Sequence, residues 1–203
     1  GNPNYGEAPA ASLMFLLEVP FFAHRNLSHL VMSGVFERFP ELRYVMTEQG
    51  VAWVIEDLRR MDGYHAQMAS GRVGELGFSA DLVLPDRPSE YFARNVWIGA
   101  SFPSPSEADA MKKVGIERMM WGSDYPHNES TFPYNRDHLR RSFSGWDEAD
   151  LRKVFAENAA EVYRIDLDAL VPLAERIGPS VDEVATPLDE VPKNAFSPAF
   201  TRP

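Results

Sequence analysis

The sequence has no cysteine in its 203 residues, which excludes a disulfide framework, a thiol nucleophile and a thiolate metal site. That absence suits a reducing, cytoplasmic setting. No window approaches the ~18–20 consecutive apolar residues of a membrane span, and no cleavable signal peptide opens the chain. Positive charge is scarce: 20 Lys and Arg stand against 30 Asp and Glu, a net charge of −10. With no basic run, neither nucleic acid nor an anionic membrane is expected as a partner. There are no internal repeats, and H-x-H, H-E-x-x-H, G-x-S-x-G, Walker and G-x-G-x-x-G motifs are all missing. Gly71, Gly74 and Gly77 fall at the wrong spacing for a dinucleotide loop.

What is present is enough apolar material, 44% of residues, for one sizeable core with an appendage. Gly1-Asn2-Pro3-Asn4 are turn formers without an initiator Met, the pattern of a chain entered partway along, and residues 1–12 read as loop. The apolar run Leu13–Val19 is expected to be interrupted at Pro20, with a fresh helix start at Asn26-Leu27-Ser28 that runs until Pro40. Strands are expected at Arg43–Thr47, Val96–Ser101 and Arg118–Gly122, alternating with helices at Val51–Met68, Ser106–Val114 and Asp147–Arg164. Short strands joined by helical crossovers imply parallel pairing and an α/β fold. The stretch 70–87 reads as an irregular connection. Residues 166–203 carry 6 of the 16 prolines and 7 acids against 3 bases; one helix near Asp168–Ile177 and then an extended arm are expected, with Phe196 and Phe200 favouring an arm laid on a surface.

Ligands of parallel α/β folds sit at the carboxyl ends of the strands. Two of the three strand ends carry carboxylates, Glu48 and Asp124, which suit cation binding or general acid–base work. Each has a plainer reading: Asp124 as an Asx-turn residue before Tyr125-Pro126, and Glu48 as a favourable charge at the next helix start. His127 follows Asp124 by three residues and belongs to the same rim. The other histidines read as surface or hydrogen-bonded positions; His24 and His29, five apart, lie about 140° apart around a helix. Asn158, on the apolar stripe of the last long helix, is expected to tie that helix to a neighbouring loop.

Three blocks resemble the amidohydrolase-related family that includes aminocarboxymuconate-semialdehyde decarboxylase: Gly34–Gly50 (GVFERFPELRYVMTEQG), Trp121–His127 (WGSDYPH) and Glu157–Tyr163 (ENAAEVY). The resemblance spans roughly residues 28–166. It implies the C-terminal portion of a distorted (β/α)8 barrel over residues 1–165, the three strands being the sixth to eighth, followed by the helix and Pro-rich acidic arm of 166–203. It further implies that Asp124 is a metal ligand and proton shuttle, that the metal is divalent, zinc by the family's pattern, and that His127 lies near the substrate. Glu48 stands where the best-known decarboxylases carry a catalytic His, as a second acid/base or orienting group. The implied activity is hydrolysis or non-oxidative decarboxylation of a small carboxylated or cyclic compound. A whole barrel needs about 250 residues, so association with a missing N-terminal segment or a homo-oligomer is expected. Two alternatives stand beside this: a catalytically silent structural or oligomerisation half, and an open-sheet domain binding Mg²⁺ and a phosphorylated ligand through Asp124 and Glu48.

Overall fold

Central strand VWIGAS explains the architecture best. Val96, Trp97, Ile98 and Ala100 are all buried, the continuous apolar reading of a strand covered on both faces. The computed structural model describes residues 5–8 and 10–203, so the expected turn at Gly1–Asn4 lies outside the described residues. In chain order the elements are α1 (Ala11–Met32), α2 (Val35–Arg38), β1 (Tyr44–Thr47), α3 (Trp53–Ala69), β2 (Arg72–Val73), β3 (Leu76–Gly77), α4 (Pro88–Asn95), β4 (Val96–Ser101), α5 (Pro105–Val114), β5 (Met119–Gly122), α6 (Asn135–Phe143), α7 (Glu148–Arg152), α8 (Asn158–Tyr163), α9 (Leu167–Ile177) and α10 (Val181–Ala185). Strands β1, β4 and β5 form a parallel sheet in the order β1-β4-β5, with Ile98 opposite Met119 and Ser101 opposite Gly122. This is the strand–helix alternation of part of a (β/α)8 barrel. Among the described residues, no helix is long and apolar enough to cross a membrane.

The chain divides into two units: residues up to 44 together with 56–96, and residues 45–55 together with 97–203. In the first unit, Leu27, Val31, Phe36, Met61, Tyr91 and Phe92 make the core. Buried Asn95 donates from Nδ2 to the carbonyls of Pro40 and Leu42, both at 2.8 Å, and the Tyr91 hydroxyl donates to Glu37 at 2.8 Å. The expected break at Pro20 is not there. Proline lies inside the single helix α1, because the sequences on both sides of it are helix formers and one missing N–H does not stop propagation. The connection 70–87 is also more regular than expected, since β2 and β3 pair as a short antiparallel ribbon.

In the second unit, α7 and α8 are joined by a π-helical turn at Lys153–Glu157, where one continuous helix was expected. Asn158 leaves that turn buried and donates to the carbonyls of Ile116 (2.6 Å) and Met119 (2.7 Å), tying the helix to the start of β5 as its pattern implied. The arm lies on its own unit. Arg136, Arg140 and Arg141 of α6 donate to carbonyls of Ile177, Gly178, Thr186, Pro187, Ala199 and Arg202. Phe200 is buried, whereas Phe196 is 84% exposed, and α10 is a helix where extended chain was expected.

His138 on α6 is fully buried between Pro103 and Trp121. Its Nε2 donates to the Pro103 carbonyl at 2.8 Å and its Nδ1 accepts from the Trp121 indole at 3.3 Å, so the ring is neutral. Burial pushes its pKa down to about 4. The unfolded chain therefore takes up a proton below about pH 6.5 that the folded chain refuses until about pH 4. The His138 contribution to stability is expected to be level above pH 6.5 and to fall by about 3 kcal/mol as pH drops through that window. Urea titrations across pH 4–8 check this: His138→Gln should lose the component between pH 6.5 and 5, and an unchanged profile would contradict it.

Candidate active site

Both strand-end carboxylates stand on unusual backbone. Glu48 directly after β1 has φ 65°, Asp124 two residues after β5 has φ 66°, and Phe102 directly after β4 has φ 37°. Left-handed backbone costs a non-glycine residue about 1 kcal/mol, and such strain concentrates at functional sites. Here it falls at the carboxyl end of every strand of the sheet. Hydrogen bonds hold the conformations: Glu48 N–H donates to the Gly99 carbonyl at 3.1 Å, and Phe102 N–H to the Gly122 carbonyl at 2.8 Å.

Asp124 sits in a loop folded back on itself. Thr131 N–H donates to the Ser123 carbonyl at 3.0 Å and His127 N–H to the Asp124 carbonyl at 2.9 Å. The turn brings His127 Nδ1 to 2.9 Å from Asp124 Oδ2. The Asp124 side chain is only 7% exposed, whereas His127 is 56% exposed. The hydrogen bond and charge of Asp124 raise the His127 pKa above the ordinary imidazole value, with smaller contributions from Glu129 and Glu48. Glu48 therefore lies within electrostatic reach of the Asp124–His127 pair.

One donor atom from each of Asp124, His127 and Glu129 lies within 4.8 Å of the others. Tetrahedral ligands about 2.0–2.2 Å from one ion stand about 3.3–3.6 Å apart, so a closure of up to about 1.5 Å would let the three share one. Two carboxylates and an imidazole suit Mn²⁺ or Zn²⁺. The donor set fits a divalent metal.

A cavity of about 270 Å³ opens on one face of the same sheet. Thr47 and Glu48, Gly99 and Ser101, and Met120 and Gly122 line it from the three strands. Gly99 is required there, because a Cβ would lie 2.9 Å from Thr47 Cγ2.

The amidohydrolase family model matches residues 2–165. The chain belongs to the amidohydrolase family. Among solved structures, the chain is similar to the amidohydrolase map2389c of Mycobacterium avium subsp. paratuberculosis K-10 (23% identity, TM-score 0.61, 74% of this chain and 35% of that one). It is also similar to the 5-carboxyvanillate decarboxylase LigW of Sphingomonas paucimobilis (27%, 0.54, 70% and 40%). A third similar structure is a dihydroxybenzoic acid decarboxylase of Polaromonas sp. JS666 with bound manganese and the inhibitor 2-nitroresorcinol (17%, 0.52, 78% and 47%). The matched part covers less than half of each of these structures. No protein of curated function matches the chain.

Of the residues the sequence singled out, Asp124 and His127 are in direct contact, whereas Glu48 lines the cavity on the sheet, whose lining includes neither of them. Glu129 was missed. Its signal was its position, a second carboxylate two residues past His127 in the same short loop. Thr47 and Ser101 were also missed, although both close their strands on the face that Glu48 follows.

Proposed function

We propose that this amidohydrolase is a metal-dependent enzyme of hydrolysis or non-oxidative decarboxylation, acting on a small carboxylated or cyclic compound. The observation that carries the reading is the strand-end Asp124, on left-handed backbone with its side chain only 7% exposed, hydrogen-bonded to the exposed His127 and within electrostatic reach of Glu48, which lines the cavity on the sheet. Asp124 would hold the ion, zinc by the family resemblance or manganese as in the Polaromonas decarboxylase, with His127 and Glu129 as further donors. When bound, the ion supplies Lewis acidity toward a substrate oxygen. Asp124 and His127 share a proton between Oδ2 and Nδ1, which lets the pair receive or return one at that position. Glu48 acts as the second acid/base or orients the substrate, and the Thr47 and Ser101 hydroxyls supply neutral hydrogen bonds along the cavity wall. A volume of about 270 Å³ holds a compound of roughly one ring. The likeness to LigW at 27% identity favours decarboxylation over hydrolysis. The protein is expected to work in the cytoplasm, with neither membrane nor nucleic acid as a partner and with its barrel completed by further chain or by other copies.

Glu48→Gln tests this reading. In the complete enzyme, carrying the variant and assayed against aromatic carboxylates, turnover should fall about 100-fold while metal content is unchanged. Unaltered turnover on every substrate that the wild type accepts would remove Glu48 from the reaction.

A further inference from the structure

A cluster of positive groups in this acidic chain lies away from the strand ends, within the first unit. His24, Arg25, Ser28 and His29 span an arc of about 140° around α1, a broad side of the helix. With Asp57 and Arg60 of α3 they line a groove of about 450 Å³, larger than the cavity at the sheet. Arg60 is paired with Asp57 at 2.6 Å. Arg25 donates to His29 Nε2 at 3.4 Å, and among the described residues no ion pair neutralises it. The groove therefore keeps one formal positive charge with neutral histidines, in a chain whose net charge is −10. An uncompensated guanidinium in a concave site focuses potential on an anion.

The donors indicate which anion. Two guanidinium forks, the His29 imidazole and the Ser28 hydroxyl offer more N–H and O–H groups than the two oxygens of a carboxylate engage, whereas a phosphoryl group presents three or four acceptor oxygens. We propose that this groove binds the phosphate group of a small anionic ligand, with Arg25 as the principal contact. Asp57 competes with that ligand for Arg60, so it sets the affinity.

Calorimetric titration of the full chain with inorganic phosphate at low salt tests the proposal. One saturable site is expected, with acetate binding at least about tenfold more weakly. Arg25→Gln should weaken phosphate binding about tenfold, the loss of one charge-assisted contact. Asp57→Asn frees Arg60 and should tighten binding severalfold, a gain that mere damage to the fold cannot mimic. Asp124→Ala should leave the affinity unchanged, which separates this groove from the strand-end site. Absence of saturable binding, acetate binding as tightly as phosphate, insensitivity to both Arg25→Gln and Asp57→Asn, or loss in Asp124→Ala would overturn the proposal.

Discussion

Replacing Asp124 by Ala is expected, on the proposed function, to lower turnover of the complete enzyme by about 1,000-fold or more, because it would remove both the proposed metal donor and the oxygen to which His127 bonds. The same substitution should leave the fold intact. Asp124 stands at φ 66° with its carboxylate committed to His127, so folding gains little from it. Asp124→Gly sharpens the distinction. Glycine adopts left-handed backbone without the Cβ penalty, so this variant should be as inactive as Asp124→Ala and yet about 0.5–1 kcal/mol more stable. Loss of activity with a gain in stability is the pattern of a residue kept for chemistry. Paired kinetic and urea-denaturation measurements check it, and a variant both active and unchanged in stability would contradict the assignment.

Asn158→Leu is expected to have the largest effect on folding. Its buried Nδ2 is the donor to two carbonyls, those of Ile116 and Met119, at the point where β5 begins. Leucine fills a similar volume and leaves both acceptors without that donor, a loss of about 3 kcal/mol against a total of about 5–15. For a chain of this length that corresponds to roughly 10 °C in Tm. Because β5 leads directly into the Asp124 loop, a complete enzyme with this change should also lose metal at lower temperature than the wild type. A shift below 2 °C would show that Asn158 is not the tie its geometry describes.

The residues that were legible in the sequence were those whose pattern is local. Val96–Ser101 matches its strand end to end, because an unbroken apolar run between Asn95 and Pro103 has one reading. Asn158 was legible because an amide on an apolar stripe must find buried partners, and it does. Asp124 and Glu48 were singled out because strand ends are where parallel folds place their chemistry, and the structure sets both on left-handed backbone there. Other features depended on contacts that no local pattern encodes. Pro20 reads as a breaker, yet the helix formers on both sides carry α1 through it. The prolines of 166–203 read as extended arm, and only the arginine row on α6 shows how that segment is held to its own unit. Glu129 escaped notice because its link to Asp124 depends on the loop closing from Thr131 to Ser123.

The measurement closest to the central claim is a titration of the full 203-residue chain with Mn²⁺, followed by electron paramagnetic resonance, for wild type and Asp124→Ala. The account predicts one bound equivalent in the wild type, displaced by Zn²⁺ and lost in Asp124→Ala. Absence of bound Mn²⁺, or equal binding by the two proteins, would contradict it and leave Asp124 as a turn residue in a structural half-barrel.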